Sequence, residues 1–154
     1  MKKRIPCLFI IAVILWGCPS GADSSVTPDD NAGTISCTIN GKSWTSTKTL
    51  DAASNKRQKV FVGQNFTEKT GIGFNLDVAN IKAGNSIVYD RNNIYEGIEF
   101  RTIDADGLPV ETFPGKGTLT IKSANTSIVE GTFAFEAKNV SVTNGKFSLR
   151  NTPW

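Results

Sequence analysis

The chain has 154 residues, 17 Lys+Arg against 14 Asp+Glu, no histidine and three cysteines. Without histidine the commonest general base and the commonest zinc ligand are absent. Three of the positive charges, Lys2, Lys3 and Arg4, stand in the first four residues, so the rest of the chain carries 14 against 14, and no basic field argues for a nucleic-acid partner.

Residues 1–17 have the layout of a secretory signal: the basic head, an unbroken apolar run from Cys7 to Trp16, and a small residue, Gly17, before Cys18. A membrane-spanning helix needs about 20 apolar residues, so this run is too short to cross. The end, Leu15-Trp16-Gly17-Cys18, resembles a bacterial lipoprotein cleavage site: an aliphatic residue, a flexible position, a small residue, then cysteine. Trp16 departs from the small or β-branched residue usual at its position. The resemblance implies cleavage before Cys18 and lipidation of its sulfur, with plain secretion as the alternative. Two or more acyl chains anchor stably, at about 0.8 kcal/mol per buried methylene. Once Cys7 is removed and Cys18 acylated, Cys37 has no partner for a disulfide.

Residues 18–33 read as the lipidated cysteine and a flexible tether. From Pro19 to Gly33 the only larger aliphatic residue is Val26, too little apolar surface to offset ordering entropy. Residues 34–154 then form one all-β domain. Asn40-Gly41 is a preferred two-residue hairpin turn and sets Cys37 opposite Trp44, on the face of Ile35 and Ile39. Both are assigned to the core, in preference to a reactive thiol and a sugar-stacking platform. Residues 50–58 lack a period and read as a loop with a solvated basic end, Lys56-Arg57-Gln58-Lys59. Lys59 to Asn65 reads as a strand with Val60 and Val62 on one side. Thr70 to Val78 alternates strictly, with Ile72, Phe74, Leu76 and Val78 sharing a face.

Ala83-Gly84-Asn85 marks a turn and Ser86 to Tyr89 a short strand. Asp90-Arg91-Asn92-Asn93 is a polar loop. Ile94 to Ile103 is a strand with Ile98 and Phe100 inward. Residues 104–115 read as an irregular loop, with a small strand near Val110 to Phe113. Gly117 to Ser123 turns Leu119 and Ile121 inward and threonines outward; Val129 to Ala137 turns Val129, Phe133, Phe135 and Ala137 inward. A turn at Lys138-Asn139 pairs Phe135 with Val142 and Ala137 with Val140. A second turn at Asn144-Gly145 would pair Val142 with Phe147 and Val140 with Leu149, again on one face. No helical period occurs. About nine strands at this spacing predict an antiparallel meander closing as a β-sandwich or a flattened barrel. Trp154 does not mark an integral outer-membrane barrel, because residues 146–154 lack outward apolar alternation and Pro153 interrupts the ladder.

The ends of this domain resemble an uncharacterised family of small Bacteroidota lipoproteins, classed as a domain of unknown function. The resemblance rests on Ile39-Asn-Gly-Lys-Ser-Trp44-Thr near the start, and on Gly117-Thr-Leu-Thr-Ile121, Glu130-Gly-Thr-Phe-Ala-Phe135-Glu-Ala137 and Val142-Thr-Asn-Gly-Lys-Phe147-Ser at the end. It covers about a quarter of the chain, leaves residues 50–115 unplaced, and implies an all-β envelope lipoprotein without an activity.

Asp104-Ala-Asp106-Gly107 has the start of a calcium loop but lacks its later acidic ligands, so a plain Asp-Gly turn is preferred. Asp104 or Asp106 with Glu111 would be the only carboxylate pair to consider for glycoside hydrolysis. No nucleophile elbow, triad or phosphate-cradling loop is present. The expectation is therefore a non-catalytic binding or structural module. It needs no cofactor and is held at the outer membrane by Cys18, facing periplasm or surface. An envelope protein or glycan would be contacted through loops 50–58, 90–93 and 104–115. The alternatives are an envelope glycan-active enzyme using the loop carboxylates, and a small-ligand carrier in a hollow barrel.

Overall fold

The computed structural model describes residues 33–55, 57–90 and 96–151, with 52–55 described by their strand alone. The signal, Cys18, nearly all of the tether, most of loop 90–93 and Trp154 lie outside the described residues. Eleven strands follow one another: β1 (Gly33–Ile39), β2 (Lys42–Thr45), β3 (Lys48–Asn55), β4 (Gln58–Asn65), β5 (Thr70–Asp77), β6 (Ser86–Tyr89), β7 (Gly97–Ile103), β8 (Pro109–Pro114), β9 (Lys116–Ala124), β10 (Ile128–Ala137) and β11 (Val140–Arg150). A single 3-10 turn, Val78–Asn80, is capped by the Asp77 carboxylate accepting from Ala79 N–H.

The strands form two antiparallel sheets, ordered β2-β1-β11-β10-β9-β6 and β3-β4-β5-β7-β8. Neither sheet closes on itself or on the other, so of the two expected architectures the chain adopts the sandwich. The C-terminal meander is β9-β10-β11. Its inward residues Leu119, Ile121, Val129, Phe133, Phe135, Val142, Phe147 and Leu149 are all buried, against Phe61, Ile72, Phe74, Leu76, Ile98 and Phe100 of the other sheet. The Phe74 ring stands edge-on to Phe133 at 4.9 Å between centroids and lies 5.5 Å from Phe147. Each such ring contributes about 1.5–3 kcal/mol through burial and about 0.5–1.5 kcal/mol more per well-oriented pair.

The first hairpin forms as its turn residues dictate. Asn40 and Gly41 take φ of 47° and 84°, and Cys37 sits opposite Trp44. Both are buried, at 7% and 2% exposure.

Four expectations are corrected. Residues 50–58 are not a loop: Lys48–Asn55 is a full edge strand paired with β4. Its inward positions Thr49 and Asp51 are buried and polar, which hides the strand from a reading based on apolar alternation. On β4, Val60 and Val62 share a face, but it is the outer one. Phe61 is the core residue because it pairs with Phe74 of β5, and the register that joins them also turns Lys59 inward, opposite Leu76. The basic cluster is therefore not wholly solvated: Lys59 is 2% exposed. Within residues 104–115 the small strand expected near Val110 to Phe113 forms, as β8 paired with β7, but what precedes it is a tight turn, not an irregular loop.

The fourth correction concerns Asn144-Gly145. The turn at Lys138-Asn139 forms and gives the pairs Phe135–Val142 and Ala137–Val140, but there is no turn at Asn144-Gly145, and Val142 and Val140 do not pair with Phe147 and Leu149. β11 runs unbroken to Arg150, with Asn144 at φ 53° as an inserted bulge residue. Between Phe133 and Phe135 of β10 there is one residue; between their partners Gly145 and Val142 there are two. β1 shows the same offset, Ser36 pairing with Lys146 and Thr38 with Thr143. The extra residue shifts the inward set from even to odd positions, so that Val142, Phe147 and Leu149 all reach the core.

Candidate functional site

The turn at Asp104 is built by its own side chain. Asp104 Oδ1 accepts from the N–H groups of Asp106 and Leu108 at 2.9 and 2.8 Å, and Gly107 takes φ 83°. This is an Asx-type turn. Its tip folds back on the sheet, where Gln64 Nε2 donates to the Gly107 carbonyl at 2.6 Å. Asp106 and Glu111 are exposed, and Glu111 lies on edge strand β8 opposite Thr102. Among the described residues no group of three or more His, Cys, Asp or Glu side chains converges as a metal site.

The first described strand fixes the polarity of the domain. β1 begins at Gly33, whose carbonyl accepts from Thr49 Oγ1 at 2.7 Å. Seven residues later, about 20 Å along an extended strand, the tip of the first hairpin meets the tip of the β10-β11 hairpin. Asn40 N–H donates to the Ser141 carbonyl at 2.9 Å, and Ser141 N–H donates to Asn40 Oδ1 at 2.8 Å. Beside them Lys138 Nζ stands 4.5 Å above the Phe113 ring and joins this tip to β8 of the other sheet.

Between these ends, the outer face of the six-stranded sheet carries an open depression of about 580 Å³. Thr118 and Thr120 of β9, Thr132, Phe133 and Ala134 of β10, and Asn144, Gly145 and Lys146 of β11 line it. On the core side the Phe133 ring lies over Gly145, where a Cβ would stand 2.5 Å from Phe133 Cδ2. The surface around it is rich in hydroxyls. Ser86 Oγ and Thr120 Oγ1 are 3.1 Å apart, and Glu130 accepts from both Ser123 and Ser148. The lining offers three threonine hydroxyls, an amide and an ammonium group over a surface that is more apolar than polar, and no carboxylate, so it can place a few hydrogen bonds around an apolar contact. The threonines of β9 were legible as outward-facing; that β6, β9, β10 and β11 set them side by side was not.

A second polar group lies between the sheets near the start of β1. Lys59 Nζ is 3.3 Å from Asp51 Oδ2 and donates to Asn151 Oδ1 at 2.8 Å. Lys59 and Asp51 side chains are 3% and 4% exposed. Burial lowers the Lys59 pKa, opposed by the charge of Asp51 and its hydrogen bond. No sequence pattern announces this cluster, because its members come from β3, β4 and the residue after β11.

No protein-family model, no curated protein and no solved structure matches the chain.

Proposed function

We propose that the protein is a lipid-anchored envelope module that binds a polar partner, protein or glycan, without transforming it. The observation that carries the binding reading is the open depression on the outer face of the six-stranded sheet, where three threonine hydroxyls, Asn144 and Lys146 border a largely apolar surface. The envelope assignment rests on Leu15-Trp16-Gly17-Cys18 with its polar spacer, and on the resemblance of the chain ends to small Bacteroidota lipoproteins. The aromatic packing of Phe74, Phe133 and Phe147 between the sheets favours a binding surface over a carrier with a hollow interior. Asp104 is committed to its turn, and Asp106 and Glu111 are exposed, so no observation favours the hydrolase.

Two measurements test the reading. Fractionation with labelled palmitate should place the protein in the membrane fraction and Cys18→Ala in the soluble one, unlabelled. The folded domain should be retained on purified peptidoglycan, envelope polysaccharide or an envelope protein. Retention should fall at least tenfold in the Thr120→Val/Thr132→Val variant at unchanged Tm. Wild-type protein retained by none of these would overturn the binding assignment.

A further inference from the structure

We propose that Lys59 and Asn151 join through an intramolecular isopeptide bond, formed by the protein itself with release of ammonia. The three groups required are already in contact. The Lys59 amine touches the side-chain carbonyl oxygen of Asn151 at 2.8 Å, so the electrophilic Cγ lies one bond beyond. The Asp51 carboxylate is 3.3 Å from the same amine. The Phe61 ring stands 5.4 Å from Nζ and keeps one side of the site apolar. On the far side, Asn151 Nδ2, the leaving group, donates to the Asn125 carbonyl at an exposed position from which ammonia can leave.

Each group has a defined task. An ammonium ion is no nucleophile, but burial disfavours it and makes the neutral amine accessible. Asp51 takes the proton from Nζ as a general base. The freed electron pair attacks Cγ of Asn151 and places a negative charge on Oδ1. A second proton passes from Nζ through the Asp51 carboxyl to Nδ2. The Cγ–Nδ2 bond breaks and ammonia departs. One C–N bond forms, one breaks, nothing is oxidised or reduced, and the proton that Asp51 took first passes to the departing ammonia, which leaves as ammonium, so the carboxylate ends as it began. Holding amine, amide and carboxyl in contact removes the entropic barrier that keeps this reaction slow in free solution.

The geometry also explains a need. Cys37 is the only cysteine among the described residues and is buried, so no disulfide staples the domain. The proposed bond ties β4 of one sheet to the residue that follows β11 of the other, 92 positions apart in the chain. Cross-links that close long loops restrict the unfolded chain most.

Peptide mapping of the full-length, folded protein tests the proposal. The expected result is a branched peptide joining the Lys59 and Asn151 segments, lighter by one ammonia than their sum, with loss of tryptic cleavage after Lys59. Lys59→Arg and Asn151→Ala should each restore linear peptides and lower Tm. Asp51→Asn should leave both segments linear in protein that still unfolds cooperatively. Wild-type, cooperatively folded protein that yields only linear Lys59 and Asn151 peptides of unmodified mass overturns the bond. A branched peptide in Asp51→Asn overturns the role of Asp51.

Discussion

Trp44 and Thr70 are bound to each other across the sandwich: the indole Nε1–H of β2 donates to the threonine hydroxyl of β5 at 2.9 Å. The contact closes the side of the core where the chain crosses from the six-stranded sheet to the five-stranded one. Thr70→Val leaves a buried donor unpaired and should lower stability by about 1–3 kcal/mol. Trp44→Ala removes the whole side chain and should cost about 3–5 kcal/mol. Denaturant midpoints measure both, and equal losses for the two variants would contradict this division.

Gly145 tolerates nothing larger. A Cβ would come within 2.5 Å of both the Phe133 ring and the Phe133 carbonyl oxygen, so Gly145→Ala should destabilise by about 1–3 kcal/mol, as overpacking does. Deleting Asn144 should be worse, because it removes the bulge and turns Phe147 and Leu149 to solvent. Asn144→Gly, which suits the positive φ, should be nearly neutral. Thermal melts of the three variants give the ranking.

Tyr89 is 1% exposed, and its hydroxyl has no hydrogen-bond partner among the described residues. Burial, assisted by the nearby negative charge of Glu96, pushes its pKa far above the usual value, so it stays a neutral phenol. An unsatisfied buried hydroxyl costs about 1–3 kcal/mol. Tyr89→Phe should therefore raise Tm, and a lowered Tm would show that the hydroxyl is satisfied in solution.

Burial, with a smaller contribution from the charge of Glu68, raises the Cys37 thiol from 9.0 to about 12. The folded state then holds its proton where the unfolded state releases it. The contribution of this group to stability is complete below about pH 9 and is lost as pH rises toward 12. Stability measured across that window should fall less steeply in Cys37→Ala than in the parent. Native Cys37 should also resist alkylation at pH 8 and react once the protein is unfolded.

The Asp104 turn should ignore calcium. Asp104→Asn keeps an acceptor for the N–H groups of Asp106 and Leu108 and should be nearly neutral; Asp104→Ala should cost about 1 kcal/mol. Calcium at millimolar concentration should leave Tm unchanged in the parent, and a rise that disappears in Asp104→Asn would reverse this assignment.

What the residues disclose on their own is what depends on near neighbours. Phe133, Phe135 and Ala137 alternate within one strand, and Asn40-Gly41 bends the chain over two residues, so both are readable locally. The same dipeptide at Asn144-Gly145 makes a bulge, because there the strand is hydrogen-bonded on both sides, by β1 and β10. Strand β3 has no local signature because its inward Asp51 is matched by a lysine that belongs to another strand. The Lys59 cluster was hidden for the same reason: three separated residues become neighbours only when the sheets close. The proposed anchor is the opposite case, since the motif that suggests it stands in four consecutive residues.

The open ends of the two sheets bear on crowding. In the membrane-held state proposed above, molecules would collide edge to edge far more often than in dilute solution, and exposed strand edges invite them to zip together. Strands β2 and β6 have four residues each, and β8 is bracketed by Pro109 and Pro114, so three edges offer little purchase. β3, with eight residues and no proline, is left as the edge where self-association would begin.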